Sequence, residues 1–239
     1  MIPAKNERKL LPLLLESLCR QDYPCLPDTT VCIADAGSTD GTVELALSYS
    51  DRLKIKIIRG GLPSVGRNAG ARQADTPYVL FLDADIELAS TSLLRRAMEK
   101  MKRRRLHCLT TNIWCRDGNW RDRSLYFGNN IVQFVSGFGQ PFSTGMFMLF
   151  DKRKFDQLGG FNERALFAED YLLSRQVSPR RFSIVGGGAL TSNRRFQKIG
   201  HMRMIYMFMK TALNTFNEKH FLRDHNWWQT EHESPKVVQ

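Results

Sequence analysis

The sequence predicts an α/β protein built on a mostly parallel sheet flanked by helices, and three observations carry that prediction. Short apolar runs alternate with stretches of helical spacing through residues 1–105, the pattern of right-handed strand–helix–strand crossovers. The strand-like runs open into turns rich in Gly, Asp and Ser. The run Tyr78-Val79-Leu80-Phe81-Leu82 passes straight into Asp83-Ala84-Asp85. That places two carboxylates just past the carboxyl end of a strand, where ligands collect in open parallel sheets.

Residues 1–4 read as the tail of a first strand, followed by apolar positions at helical spacing over 10–18; Pro12 is tolerable only in a first turn. The β-rich run 29–34 is a second strand, and the turn from Asp35 through Gly37 to Gly41 opens a helix over 43–49. Residues 53–58 form a third strand. Ser64 then caps a helix through Arg67, Asn68 and Arg72. The apolar run 79–82 is a strand buried on both faces, and a helix over 90–104 follows. Beyond residue 106 the rhythm changes. Strands are expected at 106–114, 146–150 and 182–185, the last ending at Gly186-Gly187-Gly188. Helices are expected at 122–136, at 151–158 (ended by Gly159-Gly160) and at 168–177. A methionine-rich helix spans 201–216, and a tail containing Trp227-Trp228 frays. With no repeat and no low-complexity linker, residues 1–239 read as a single domain: a regular half (1–105), an irregular half (106–200), and a C-terminal helix and tail (201–239).

Charge narrows the partners. Lys+Arg number 35 against 24 Asp+Glu, a net charge of +11. This suits an anionic partner such as a nucleoside diphosphate, a lipid headgroup or nucleic acid. The basic residues do not alternate with aromatics on a platform, so nucleic acid is not expected. No apolar run reaches the roughly 18 residues that suggest a spanning helix, and the first residues lack the form of a signal peptide. Five cysteines without a C-x-x-C pair read as reduced structural thiols in a cytoplasmic protein. The five histidines show no zinc spacing.

The candidate chemistry lies in four places. Asp83 and Asp85 would repel each other unless a cation sat between them. A hard ion with oxygen ligands, Mg²⁺ or Mn²⁺, would bring a phosphate with it; alternatively Asp85 or Ser90 only caps the next helix. Asp35 can accept from a base or ribose, or form an Asx-turn into Gly37-Ser38. Glu169-Asp170 are either an acid–base pair or carboxylates favoured at a helix N-terminus. Arg194 and Arg195 fall at a helix start, where the dipole disfavours cations and an anion nearby would offset that.

Residues 2–7 (IPAKNE), 35–42 (DAGSTDGT) and 66–70 (GRNAG) with the FLDAD run at 81–85 together resemble the family 2 glycosyltransferases of the GT-A fold. Residues 167–170 (FAED) and 191–196 (TSNRRF) match two later blocks, so the resemblance covers the chain to about residue 200. It implies a Rossmann-like sheet with an irregular C-terminal acceptor half. It also implies metal-dependent, inverting transfer from a nucleotide-diphosphate sugar to a hydroxyl on a saccharide or lipid-linked acceptor. In that scheme Asp85 binds Mg²⁺ or Mn²⁺, while Asp83 reaches ribose or a metal-bound water. Pro3, Ala4, Glu7 and Asp35 contact the nucleotide, Arg67 and Asn68 its base or diphosphate, and Arg194 and Arg195 fold over the diphosphate. Asp170 is the base, and Glu169 orients the acceptor or a neighbouring residue. Two departures stand out. Only Met1 and Ile2 remain of the family's first strand, and Arg194-Arg195-Phe196 stands where many members carry a Gln/Arg-x-x-Arg-Trp signature. A polyprenyl-phosphate acceptor and a non-catalytic sugar-nucleotide scaffold are the alternative readings. The helix over 201–216, whose run 201–213 is broken by Arg203 and Lys210, packs on the body, makes a dimer contact or lies on a bilayer, peripheral at its inner face.

Overall fold

A computed structural model describes residues 1–215 and 217–223; Trp227, Trp228 and Phe216 lie outside that range. Strands β1 (Ile2–Ala4), β2 (Val31–Asp35) and β3 (Ile55–Arg59) pair in parallel, in that spatial order. Helices α1 (Leu11–Cys19) and α2 (Thr42–Leu47) make the crossovers. Pro12 sits in the first turn of α1, where its missing N–H costs no helical bond, and Leu11, Leu14, Leu15 and Leu18 face the core. Helix α3 (Pro63–Arg72) presses on the sheet through small residues. A Cβ on Gly66 would lie 3.2 Å from that of Ala34, and one on Gly70 would overlap Met1.

The chain continues as β4 (Tyr78–Leu82), β5 (Ile86–Leu88), α4 (Leu93–Arg104), β6 (Cys108–Cys115), α5 (Trp120–Ser136), β7 (Phe147–Asp151) and α6 (Lys152–Gln157). Then come α7 (Glu169–Ser174), β8 (Phe182–Thr191), α8 (Arg194–Ile199), α9 (His201–Leu213) and α10 (Glu218–Phe221). The second sheet has the order β4-β7-β6-β8-β5. Met1 joins the two sheets: its amino group donates to the Leu80 carbonyl at 2.7 Å, and its carbonyl accepts from the Leu82 N–H at 3.0 Å. That is the parallel-bridge pattern. The carboxyl ends of β1, β2 and β4 therefore open on one edge.

Parallel pairing holds for β1–β3 and for β6 with β8, but β7 runs antiparallel between β4 and β6, and β5 runs antiparallel to β8. The second half is thus a mixed sheet. Two local expectations change with it. The segment after Asp85 forms strand β5 before helix α4 begins. The glycine triplet bends β8 instead of ending it: Gly187 and Gly188 take φ of 123° and 144°, and the register against β6 shifts between Thr111 and Ile113. A Cβ on Gly188 would fall 2.6 Å from the Trp114 ring.

The main core packs α1 and α4 against the sheets. A second, aromatic core surrounds Phe81, whose ring lies 4.9 Å from Phe161 and 5.1 Å from Phe155. Cys32, Cys108 and Cys115 are buried, all five cysteines are free thiols, and burial pushes the Cys108 thiol well up. Among the described residues no helix is long and apolar enough to cross a membrane.

Candidate active site

At the shared sheet edge the first turn is built by its own polar side chains. The Asp35 carboxylate accepts from the N–H groups of Gly37 at 3.0 Å and Ser38 at 3.1 Å, and Gly37 supplies the left-handed φ of 79°. Asn6 ties the loop after β1 to this turn: its N–H donates to Ser38 Oγ, and its Oδ1 accepts from Thr39 N–H, each at 2.9 Å. Asp35 therefore stands in an Asx-turn, with its neighbour Ala36 on the cleft wall.

The cleft holds about 340 Å³ and is lined by Pro3, Ala4, Glu7, Arg67, Asp83 and Asp85, with Arg194 and Arg195 across from them. Eight of the twelve expected site residues thus meet on one surface. Lys5, Ala36, Ala84 and the Gly61-Leu62-Pro63 entry to α3 complete the wall; the pattern of apolar spacing carries no sign of these.

Below the cleft floor lies a line of charge. The Arg67 side chain is 3% exposed and donates through Nη2 to Asp83 Oδ1 and through Nη1 to Glu169 Oε1, each at 2.5 Å. The Arg67 guanidinium also sits over the Phe161 ring at 5.3 Å. Burial works against its charge, but the carboxylates of Asp83, Glu169 and Asp170 more than offset this and hold it firmly protonated. Asn68, the next residue, is used differently. Its amide donates to the Phe161 carbonyl and to Glu163 Oε1, and its Oδ1 accepts from Phe161 N–H. It fixes the segment behind the cleft and is not part of the lining.

Asp170 lies in the first turn of α7. Its Oδ2 accepts from Gly145 N–H at 2.6 Å and its Oδ1 from Tyr171 N–H at 2.7 Å. Burial, then the neighbouring charge of Glu169, pushes its pKa up to about 7, against the opposing pull of Arg67 and the two N–H donors. Gly145 holds this arrangement together, because a Cβ there would strike the Arg67 guanidinium at 2.5 Å. Neither Asp170 nor Glu169 lines the cleft itself; Glu169 is joined to it through Arg67, and a carboxyl whose pKa is raised toward neutrality is suited to proton transfer.

Arg194, the first residue of α8, clasps the opposite rim. It donates to both oxygens of Glu7, at 2.9 and 3.2 Å, and to Asp85 Oδ2 at 3.1 Å. Beside it, Asp122 is buried and accepts from Asn119 N–H, while its Oδ1 lies 2.6 Å from His201 Nε2. The residue pattern ahead of α5, Asn119 with an acid three places on, is a capping box. That much was readable; the link to His201 was not.

Among the described residues no group of three or more His, Cys, Asp or Glu is arranged to hold an ion. Asp83 and Asp85 both line the cleft, and each accepts from an arginine, Arg67 and Arg194 respectively; two carboxylates are a donor set a small hard cation can use. Mg²⁺ is commonly held by one or two carboxylates and completes its shell with water and substrate phosphate.

Parallel strands β1–β3, continued into a mixed sheet with an acidic strand end on the shared edge, make this a GT-A-fold domain. The chain belongs to glycosyl transferase family 2, whose family model matches residues 1–159; Asp170, Arg194 and Arg195 lie beyond the matched span. It is 40% identical over 90 residues to validoxylamine A glucosyltransferase of Streptomyces hygroscopicus subsp. jinggangensis, covering 36% of this chain and 21% of that protein. It is 28% identical over 185 residues to beta-monoglucosyldiacylglycerol synthase of a Nostoc strain, covering 70% and 38%. In both cases it spans well under half the relative's length. The fold matches that of a mannosyltransferase from Pyrobaculum calidifontis solved with GDP-mannose and Mn²⁺. The TM-score is 0.65 at 20% identity, covering 80% of this chain and 55% of that one.

Proposed function

We propose that this chain carries out metal-dependent, inverting glycosyl transfer from a nucleoside-diphosphate sugar to a hydroxyl on a saccharide or lipid-linked acceptor. The observation that carries the reading is Asp170, with its pKa raised to about 7, placed beside the Arg67 bridge that leads to the Asp83–Asp85 strand end. The names of the relatives and the GDP-mannose in the archaeal structure support a sugar nucleotide as donor.

In this reading the nucleoside lies along Pro3, Ala4 and Glu7, with the Asp35 turn at its far end. Asp85, with Asp83, holds Mg²⁺ or Mn²⁺, which when bound neutralises the charge gathering on the departing diphosphate. Arg194 turns from its carboxylates and, with Arg195, meets the diphosphate oxygens, which a planar guanidinium fits well. Asp170 takes the proton of the acceptor hydroxyl as its oxygen attacks the anomeric carbon from the face opposite the leaving group. Glu169 and Arg67 keep that carboxylate in place and exclude water behind it. Asn68 positions the segment at Phe161 that packs under Arg67.

A panel of UDP-, GDP- and dTDP-sugars with Mn²⁺, read for donor hydrolysis and transfer, is the test. Turnover of one donor is expected; nucleotide binding with no turnover across the panel would make the chain a binding scaffold. Asp85→Ala is expected to abolish metal-dependent nucleotide binding by calorimetry, and unchanged binding would remove the metal assignment.

A further inference from the structure

Helix α5 is folded inside out. Its buried residues are polar: Asp122, Asn130 and Gln133. Asn130 is fully used, donating to the Ile113 carbonyl at 2.8 Å and accepting from Ile113 N–H at 2.9 Å, while Gln133 donates to the Thr111 carbonyl. Its solvent side is apolar: Trp120, Phe127, Ile131, Phe134 and Val135 are exposed, continued by Phe138 at 79% just past the helix. The spacing over 127, 131, 134, 135 and 138 makes one stripe. Anchoring by polar groups fixes which face looks outward, so the stripe cannot turn into the core without breaking those bonds.

A second stripe repeats the pattern. On α9, Met202, Tyr206, Met209 and Leu213 recur at helical spacing and are exposed, while Met204 is buried. Both helices pack inward on one small cluster, Leu125 and Tyr126 from α5 and Met204 and Met207 from α9. The charge around them has one sign. Residues 123–150 and 171–217 contain no Asp or Glu, and the single acid on either helix, Asp122, is buried against His201. Arg121 and Arg123 flank the α5 stripe, with Arg121 over the Trp120 ring at 5.4 Å; Arg203 and Lys210 flank the other, with Lys210 over Tyr206 at 5.9 Å.

We infer that the outer face of α5, with the α9 stripe, docks onto the surface of a bilayer containing anionic phospholipid. Apolar and aromatic side chains enter the headgroup boundary, while the stems of the basic residues carry their charges back to the phosphates. Charge selects this occupant. A two-fold contact with a second copy would bring together two faces of the same positive sign, with no exposed carboxylate on either helix to compensate. The inference concerns docking alone and does not rest on the transfer chemistry.

The test is flotation of the full chain with phosphatidylcholine vesicles, with and without phosphatidylglycerol. Binding is expected only with the anionic lipid. Ile131→Asp with Val135→Asp is expected to weaken partitioning by roughly tenfold or more, since each buried aliphatic side chain contributes about that factor. Arg121→Glu with Arg123→Glu serves as a second variant that leaves the apolar stripe intact and should lower binding to anionic vesicles alone. Unchanged melting temperature and nucleotide affinity would show that both variants fold. No flotation of the parent chain with anionic vesicles, or variant binding equal to the parent's, would overturn the inference. So would a dimer, seen by sedimentation, that the α5 substitutions dissociate.

Discussion

Arg67 commits its two terminal nitrogens to different carboxylates, one on the strand end that begins the site and one on the helix that ends it. Both side chains of the Arg67–Glu169 pair are nearly buried, so deleting the guanidinium strands a carboxylate away from water. Arg67→Ala should lower unfolding free energy by about 3–5 kcal/mol, the usual cost of breaking a buried ion pair, as read by urea denaturation. Lysine should recover little, lacking the fork. Asp170 carries the pH dependence. As base it must be ionised, so transfer should rise with pH through about 7. Asp170→Asn should keep donor affinity and lose roughly 10²–10⁴-fold in turnover; full activity in that variant would remove Asp170 from the chemistry. Its proton is held more tightly in the folded chain than at the ordinary carboxyl value of 3.8. The unfolded state therefore ionises first, and this group's contribution to stability falls as pH climbs from 3.8 to about 7. Asp83, Asp85 and Asp170 were legible because each sits in a short local motif. Asp122 was not, since what defines its surroundings is a histidine 79 positions away.

At the scale of elements, α5 shows where reading by periodicity reaches its limit. Its residues alternate well enough to announce a helix, but the rule that the apolar face goes inward assigns it the wrong side. Specific hydrogen bonds overrule that rule: Asn130 satisfies both backbone groups of Ile113, where β6 breaks register with β8. Asn130→Ala leaves a buried donor and acceptor unpaired, each worth about 1–3 kcal/mol. Faster amide exchange along α5 and a lower denaturation midpoint are the expected readouts. Strand β5 escaped notice for a related reason. Three residues between an aspartate pair and a helix carry too little pattern, and their partner β8 lies about 100 residues further on. The glycine triplet in β8 reads as a stop from sequence alone, whereas the packing of Gly188 against Trp114 makes it a bend.

Over the whole molecule most elements of both halves were readable, β5 apart, but the strand order of the mixed sheet was not, because parallel crossovers are written locally while the insertion of β7 between β4 and β6 depends on pairings remote in sequence. Those remote pairings bring the last part of the chain back to the first. Arg194 lies 187 positions from Glu7 and bonds to it and to Asp85 together. In the resting cleft that guanidinium is thus a counter-ion for Asp85, the carboxylate proposed above to take a divalent cation. A cation arriving alone must evict it, and a diphosphate arriving alone must draw it away; arriving together, each gives the other's displaced partner somewhere to go. The two occupants should then help one another by the same factor in either direction. Mn²⁺ titrated calorimetrically into the bare chain should bind weakly, and nucleotide should tighten it by about 5–150-fold. In Arg194→Ala the part of that mutual help that comes from displacing the guanidinium should vanish, leaving a site that takes its ion more readily before any sugar nucleotide arrives.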